Sequence, residues 1–293
     1  MQTIESLRRT IKSAQDLQSV VKTMKALAAV SIRQYQRAVE SLTDYTRAVE
    51  MGLQIVLKQQ KESVAVAPTI PVSRIGSIIF GSDQGLCGQL NEQISAYAID
   101  HMDRMNVRIK DRAVITVGMR VYGYVEDMGQ SIEENLTTPG STAGITPMVE
   151  EIIMLLEDWY FRRQIRHIFL FYNEYLSGAS YRPHMYHLLP VDRKWLKELE
   201  MKPWPSGTIP FFTMNVDALF LALIREYLFV SLYRAFAESL ASENASRLAS
   251  MQNAERNIEE RLQELHGQYH RQRQMTITEE LLDIVGGFEA LKE

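Results

Sequence analysis

The chain has 293 residues, of which 46% are hydrophobic and 23% are charged, and its formal net charge is -4. This composition is typical of a globular protein with one large or two smaller domains, and it excludes a strongly basic nucleic-acid-binding protein. The single cysteine, Cys87, cannot form an internal disulfide and excludes a cysteine-based structural zinc site.

Residues 1–51 contain neither glycine nor proline, which predicts one long N-terminal helix. Positions spaced alternately three and four residues apart form a stripe along it, and thirteen of its sixteen members are apolar. A repeat of 3.5 residues is the pattern of a coiled coil, because it keeps one seam on a partner helix. The members of the stripe are Ile4, Leu7, Ile11, Ala14, Gln18, Val21, Lys25, Ala28, Ile32, Tyr35, Val39, Leu42, Thr46, Val49, Leu53 and Val56. Gln18 and Lys25 interrupt the seam with polar side chains.

The beginning of this helix is positively charged. Residues 1–37 carry seven basic side chains and only two acidic ones. Two interpretations remain open: a solvated helix face, or a positive collar that meets an acidic partner. The same N-terminal residues lack the apolar core of a secretion signal, and we expect the chain to work in a reducing compartment.

The middle of the chain predicts an α/β domain. Pro68 and Pro71 indicate that a linker follows the first helix. Strands alternate with helices, which favours parallel βαβ units, with loops at 130–144 and 202–210. Strands are predicted at 75–80, 113–117, 165–172 and 184–189, and helices at 90–105 and 146–161.

A second stretch without glycine or proline, residues 211–266, predicts a helix from about Val216 towards Val285 with Gly267 as its one weak point. Fifty-six helical residues extend roughly 85 Å, so we expect much of this helix to project beyond the middle domain. Its apolar positions then need the N-terminal helix, a partner, or both. Arg225, Glu226 and Arg234 interrupt its most apolar part, which argues against a membrane span.

The turn from Gly81 to Gly88 follows the first predicted strand and leads into a helix. Glycines there can hold an anion at a helix N-terminus, but no phosphate-loop Lys-Ser/Thr follows and no dinucleotide fingerprint is present. Close packing of strand against helix is therefore the favoured explanation, and Cys87 is expected to be a buried apolar thiol. His184 and His187 lie three residues apart without a third ligand. We expect no catalytic, cofactor-binding or metal-binding residues.

Three motifs carry a resemblance to a known family. They are SLRRTIKS with KTMKALAA (6–13 and 22–29), SDQGLCGQLN (82–91), and ENASRLASMQNA continuing to ITEELLDIVGGFEAL (243–254 and 277–291). Together they resemble the gamma subunits of F-type ATP synthases, over the whole chain and in the same order. The turn residues that carry the signature are Ser82, Asp83, Gly85, Cys87 and Gly88.

The resemblance implies the fold and the partners. It implies an α/β protein with long helices: an antiparallel coiled coil of segments 1–60 and 211–293, and a central Rossmann-like α/β domain at 75–200. It implies a non-catalytic rotor inside a hexamer of alpha and beta subunits, with an epsilon-type subunit and the membrane c-ring below. It implies no nucleic acid, no direct membrane span and a place on the cytoplasmic face of a bacterial inner membrane. Contacts with the hexamer are expected at Met24, Lys25, Arg247, Gln274 and Thr278.

The sequence also departs from the family. Gln84 stands where Arg is common, and the aromatic-Glu-Pro element that contacts the ring is not evident around Lys202–Pro205. A divergent branch, serving a second synthase or an ion-pumping ATPase, fits these differences. Two other functions remain alternatives: an α/β metabolite-binding enzyme with helical arms for oligomerisation, and a coiled-coil scaffold. The enzyme requires a polar catalytic cluster at the carboxyl ends of the strands, and the sequence indicates none.

Overall fold

A computed structural model describes residues 3–59, 73–208 and 210–290. Two very long helices begin and end the described chain, and a five-stranded sheet with shorter helices lies between them in sequence. The helices are α1 (Ile4–Gln59), α2 (Leu90–Arg104), α3 (Met119–Asp127), α4 (Ile145–Phe161), α5 (Arg193–Met201) and α6 (Val216–Ala290). Short 3-10 turns occupy Ile109–Asp111 and Thr142–Gly144. No helix in these three ranges has an apolar run long enough to cross a bilayer.

The sheet has the strand order β3-β2-β1-β4-β5. Its strands are β1 (Ile75–Phe80), β2 (Arg112–Val117), β3 (Glu134–Leu136), β4 (His167–Ser177) and β5 (Ser180–Leu189). The first four run parallel, and β5 returns antiparallel to β4 through a tight hairpin. The expected combination of long terminal helices with a central α/β sheet is confirmed.

Several details differ from the sequence predictions. The strand predicted at 184–189 is the second half of β5, and it pairs antiparallel to its neighbour because only two residues connect it to β4. The segment 130–144, expected to be a loop, contains β3 and a 3-10 turn. The short helices α3 and α5 were not predicted. Helix α6 continues without a break through Gly267. Most of the predicted linker, including Pro68 and Pro71, lies outside the described residues.

Successive side chains of a strand point to opposite faces of the sheet and contribute to two apolar cores. Ile75 and Ile79 of β1 join α2 and α3 on one face, whereas Ile78 and Phe80 join α4 and α6 on the other. All of these strand side chains are buried, as expected for a parallel sheet covered on both sides. The sheet therefore has helices on both faces, and α6 is part of one of these layers.

By its packing the chain forms two compact units, and both long helices contribute to each. The helical unit comprises the chain up to Ala28 together with the chain from Leu248 onward, and the sheet unit comprises Ala29–Arg247. In the sheet unit, Val49, Leu53 and Leu57 of α1 pack with Phe220 and Leu223 of α6 and with α5. Gly52 permits this approach, because a Cβ there would lie 2.7 Å from a Leu223 methyl group.

In the helical unit, α1 and α6 pair antiparallel. Arg8 Nε donates to Tyr269 Oη at 3.1 Å, Gln18 Nε2 donates to Glu259 Oε1 at 3.4 Å, and Lys25 forms an ion pair with Glu255. As the residue number rises along α1, the residue number of the partner on α6 falls, which is the pattern of an antiparallel pair. Leu7, Ile11 and Leu265 are buried between the helices.

The predicted stripe of α1 is confirmed as its buried seam. Ten of its sixteen members are buried, and none of the other six is exposed. The two polar interruptions, Gln18 and Lys25, each pair with a glutamate of α6. The polar seam positions thus contribute specific cross-helix contacts instead of apolar packing.

Candidate functional site

The loop between β1 and α2 is closed by hydrogen bonds among its own side chains. Ser82 N–H donates to Asn91 Oδ1 at 2.9 Å, and Asn91 Nδ2 donates back to Ser82 Oγ at 2.8 Å. The Ser82 hydroxyl donates to the Gln84 carbonyl at 2.8 Å, and Cys87 Sγ lies 3.4 Å from both Ser82 Oγ and Asn91 Nδ2. Ser82, Cys87 and Asn91 are buried, as predicted for the Cys87 thiol. We call residues 82–91 the signature turn.

Glycines at this turn allow close packing. A Cβ on Gly81 would lie 2.4 Å from Val121 Cβ and 2.5 Å from Asn91 Oδ1, so no larger residue fits. Gly88 adopts the left-handed conformation with φ 57°, which glycine tolerates best. These contacts support the interpretation that strand-to-helix packing, and not an anion, explains the glycines. Leu86 is the unusual residue, because it combines φ 63° with 61% exposure.

Asp83 ties the signature turn to two further segments of the sheet unit. Its Oδ1 accepts a hydrogen bond from Met119 N–H at 2.9 Å, at the first residue of α3. Its Oδ2 accepts from both the N–H and the hydroxyl of Thr138 at 2.8 Å. A carboxylate at a helix N-terminus also interacts favourably with the helix dipole. Asp83 therefore fixes α3 and the segment after β3 against the turn.

Helix α6 is attached to the same turn by polar contacts. Ser246 Oγ donates to the Cys87 carbonyl at 2.6 Å, and an Arg247 Nη lies 3.5 Å from the Gly85 carbonyl. One helical turn earlier, Ser242 Oγ donates to the Asn173 carbonyl at 2.7 Å. These hydrogen bonds connect the helix to the signature turn that follows β1 and to β4.

A buried ion pair lies beside these serines. Arg247 Nη2 donates to Glu243 Oε1 at 2.6 Å, and both side chains are at most 10% exposed. Burial raises the pKa of Glu243, the Arg247 guanidinium opposes this rise, and Asp83 adds to it. Among the described residues, Glu243 Oε2 and Arg247 Nε have no hydrogen-bond partner, so the hydrogen bond from Arg247 Nη2 to Glu243 Oε1 is the direct contact that joins the pair.

Sequence reasoning missed the serine face of α6. Ser239, Ser242 and Ser246 are all buried, at spacings of three and four residues, and they present small side chains to the sheet unit. The spacing was a usable signal, because small residues at i, i+3 and i+7 mark one face along which a helix approaches its neighbour closely. What the spacing does not give is the identity of the carbonyls that the hydroxyls reach.

The predicted partner contacts have different environments. Met24 is half-buried, and Lys25 is half-buried with its ammonium group already paired with Glu255. Gln274 and Thr278 are exposed one turn apart on α6, where Thr278 Oγ1 donates to the Gln274 carbonyl at 2.9 Å. Arg247 is buried in the contacts described above. Their contact with a hexamer stays a prediction.

Exposed apolar side chains surround several of these positions in the helical unit. On α1, Leu17, Val20 and Leu27 are each more than half exposed and share a face with Met24 at helical spacing. The end of α6 exposes a second group: Met275, Ile277, Leu281, Leu282, Ile284 and Val285. Contiguous exposed apolar side chains mark surfaces that another protein covers.

Glu238, one turn before Ser242 on α6, has an unusual proton affinity. Burial and the nearby Glu174 raise its pKa to about 7, although Arg234 and a hydrogen bond with Tyr172 act in the opposite direction. The folded chain therefore holds a proton on this carboxyl more tightly than the unfolded chain does. Stability from this group is complete below the ordinary pKa of 4.5 and is lost as the pH rises through about 7.

Replacing Glu238 with glutamine should remove this pH dependence. At pH 5 the variant and the wild type should have similar free energies of unfolding, and at pH 8 the variant should be more stable by about 1–3 kcal/mol. Urea unfolding between pH 5 and pH 8 measures the difference. The exposed Glu150 of α4, replaced in the same way, is the control and should leave the pH profile unchanged. Parallel profiles for wild type and Glu238→Gln would contradict the assignment.

His184 and His187 both lie against aromatic side chains. His184 lies edge-on to Tyr172, whereas His187 stacks on Phe169 with ring centroids 4.6 Å apart. Within residues 3–59, 73–208 and 210–290, no three His, Cys, Asp or Glu side chains are grouped so that they could hold a metal ion.

Comparisons with known proteins agree along the full length. A family model described as ATP synthase matches residues 3–291. The chain is 27% identical over 292 residues to the ATP synthase gamma chain of Buchnera aphidicola subsp. Diuraphis noxia, covering 99% of each. It is 27% identical over 319 residues to that of Cyanothece sp., covering 100% of each. In fold it is similar to a chain of the Euglena gracilis mitochondrial ATP synthase rotor, with a TM-score of 0.64, 16% identity, and coverage of 94% of this chain and 98% of that one.

Proposed function

We propose, from the premise that this chain belongs to the ATP synthase family, that it is the central-stalk rotor subunit of an F-type ATP synthase. It couples ion-driven rotation of a membrane ring to conformational change in a catalytic hexamer, and ATP hydrolysis drives the reverse process. The observation that carries this conclusion is the family match, which includes both long helices and the sheet in one alignment of residues 3–291. The subunit itself is non-catalytic, and the chemistry belongs to its partners.

The helical unit is the part that the alpha and beta subunits surround. A surrounding partner explains why Leu17, Val20 and Leu27 are exposed on α1, and why the last turns of α6 expose so many apolar side chains. Met24, Gln274 and Thr278 lie among these side chains and are our proposed contacts. Such contacts must form and break at each step, which suits shallow apolar and weak exposed polar interactions better than deep pockets.

Lys25 and Arg247 contribute differently. Each is already paired with a glutamate of α6, so a contact of either residue with an acidic loop of the hexamer has to compete with an internal partner. For Lys25, which is partly exposed, this exchange is compatible with a transient contact. For the buried Arg247 it requires local movement of the signature turn.

The signature turn and the serine face of α6 transmit torque in the sheet unit. A rotor is useful only if its helix cannot turn independently of the domain that is driven. Ser242 binds a carbonyl within β4 and Ser246 binds a carbonyl of the signature turn, while Asp83 holds α3 and Thr138 to the same turn. These directional contacts resist rotation of α6 about its axis, which apolar packing alone resists less well.

The remaining partners are an epsilon-type subunit and the c-ring, at the cytoplasmic face of a bacterial inner membrane. The two gamma-chain relatives named above, from Buchnera and Cyanothece, support a bacterial assembly. We assign the ring end to the last residue of α5 and the segment that follows it, where Met201, Phe211 and Met214 are 75%, 86% and 56% exposed. Apolar side chains this exposed are compatible with a surface that a protein partner covers.

The test is purification of the tagged full-length chain from native membranes. It should bring down a nucleotide-binding hexamer and a membrane ring in one complex that hydrolyses ATP. A tagged chain that is recovered alone as a stable monomer with its own enzymatic activity would overturn the proposal and favour the metabolite-binding enzyme.

Replacing Met24 with lysine should impair coupling in that complex. The new ammonium group joins Lys22 and Lys25 on α1 and strengthens attraction to acidic loops, so the contact should release slowly. We expect ATP-driven ion pumping in membrane vesicles to fall several-fold, with ATP hydrolysis much less affected. Ala26→Lys adds the same charge at an exposed position on another face of α1 and should leave pumping near normal. Equal pumping by Met24→Lys and wild type would remove Met24 from the contact.

A further inference from the structure

A large cavity in the sheet unit has no part in the rotor mechanism. It has a volume of about 930 Å³ and lies between the edge strand β5, the start of α5, and the parts of α1 and α6 in that unit. A smaller cavity of about 360 Å³ shares Thr46, Glu50 and Arg234 with it. The larger volume is in the range of small-molecule sites. Its aromatic lining includes Trp195, whose ring lies 5.1 Å from that of Tyr227.

The acidic side chains of the cavity are mostly neutralised by their neighbours. Glu174 forms an ion pair with Arg182 at 2.6 Å, and Asp192 caps α5 by accepting a hydrogen bond from Lys194 N–H at 2.8 Å. Burial raises the pKa of Glu238, so a large fraction of this carboxyl is uncharged near neutral pH. Glu50 is the remaining acidic residue of the lining.

The basic side chains are not neutralised in the same way. Within the part of the chain that the structure describes, no carboxylate oxygen lies within 4.0 Å of a nitrogen of Arg193, Lys194 or Arg234. Arg234 Nε is buried, and it has no hydrogen-bond acceptor among the described residues. Arg47 and Lys202 add two cations at the smaller cavity. A buried guanidinium nitrogen without an acceptor costs free energy that a bound anion would recover.

We propose that this cavity binds a small phosphate-bearing anion, with the Arg234 guanidinium as its main ligand and Arg193 and Lys194 as supporting cations. The planar guanidinium fits two phosphate oxygens at once, whereas the lysine contributes a point charge. Trp195 and Tyr227 line the same space and can contact an organic part of the ligand. Every residue that the site uses belongs to the sheet unit.

The experiment is a titration of the full-length chain with inorganic phosphate and with pyrophosphate, at constant ionic strength set with chloride. Binding is followed by isothermal calorimetry and by fluorescence, for which Trp195 is the reporter in the cavity. We expect saturable binding with a dissociation constant at or below about 1 mM, tighter for pyrophosphate because it carries more charge. The absence of saturable binding of either anion to the wild type would overturn the proposal.

Arg234→Met should weaken binding by about 10- to 100-fold, as expected for loss of charge-assisted hydrogen bonds. The matched control is Arg225→Met on the same helix, where Arg225 is 59% exposed, contacts Glu157 and lies outside the cavity lining. It should bind like the wild type. The double variant Arg193→Gln/Lys194→Gln is exposed enough to fold normally and should weaken binding less than Arg234→Met. Equal affinities of Arg234→Met and Arg225→Met would overturn the assignment of Arg234.

Discussion

Replacing Gly118 with alanine should lower the free energy of unfolding by about 3–5 kcal/mol, one of the two largest effects expected in this chain. Gly118 has φ 117°, a conformation that side chains rarely adopt. A Cβ there would lie 2.8 Å from the backbone N, C and O atoms of Ser82. Backbone atoms cannot rotate away as a flexible side chain can, so the signature turn itself would have to move.

That movement would reach several contacts together. Gly118 N–H donates to the Leu136 carbonyl at 2.7 Å, and Arg120 N–H donates to the Ser82 carbonyl at 2.9 Å. Displacement of the turn would therefore also disrupt the hydrogen bonds of Asp83 to Met119 and Thr138. Urea unfolding of the full-length chain measures the loss, and assembly with the hexamer should fall in parallel.

Gly123→Ala is the matched control for this substitution. Gly123 lies inside α3, five residues from Gly118, and apart from its chain neighbours and the nearby backbone of its own helix, no described atom lies within 4 Å of the position its Cβ would take. Alanine there should raise the free energy of unfolding by about 0.5–1 kcal/mol, because glycine is a poor helix former. If Gly118→Ala were as stable as Gly123→Ala, the signature turn would be able to move away from the new Cβ at little cost, which would contradict this prediction.

Arg247→Met should destabilise the chain by about 3 kcal/mol at pH 8. The substitution leaves Glu243 buried without Arg247, its direct cationic partner, and burial already raises the pKa of this carboxyl. In the variant the pKa should rise further, so the folded state gains a proton and the loss shrinks as the pH falls. The sign is that of a carboxyl with a raised folded-state pKa: stability declines as the pH rises through that value.

A double-mutant cycle separates this loss from simple truncation. Glu243→Gln/Arg247→Met removes both charges and should recover much of the stability lost in Arg247→Met, with little pH dependence. Arg162→Met is the control for an exposed pair of the same spacing, since Arg162 and Asp158 are 85% and 40% exposed. It should change stability by less than about 0.5 kcal/mol. If the stability lost in Arg247→Met did not depend on pH, Arg247 would stabilise the fold through packing and not through its charge.

The sequence predicted the long helices well because their signal is local and repeated. The stripe from Ile4 to Val56 needs only the identity of each residue and its spacing, and its burial follows once any partner helix is present. The first strand, Ile75–Phe80, was also predicted at its observed bounds, because a short β-branched run after a breaker is unambiguous. The sequence motifs alone indicated the family.

The remaining features depend on contacts between distant residues. The antiparallel direction of β5 follows from a two-residue hairpin that no periodicity reveals. Helix α5 is short and was not predicted; Asp192 caps it by accepting a hydrogen bond from Lys194 N–H. The signature turn was recognised, but its attachment to Ser246 joins residues 159 positions apart, and Ser242 reaches the Asn173 carbonyl 69 positions away. Lys25 was placed in the seam and expected to contact the hexamer, and the structure pairs it with a glutamate 230 residues away.

The serine face of α6 fixes the register of the helix only in combination with Arg247. If α6 slid by four residues, Ser250 would occupy the place of Ser246, and Ser246 that of Ser242, so both hydroxyl contacts could form again. The same slip would put Met251 where Arg247 lies, and a methionine side chain cannot donate a hydrogen bond to the Gly85 carbonyl. The Glu243–Arg247 pair lies within the helix and would move with it, so the contact of Arg247 with the signature turn is what distinguishes one axial setting of an otherwise repetitive helix.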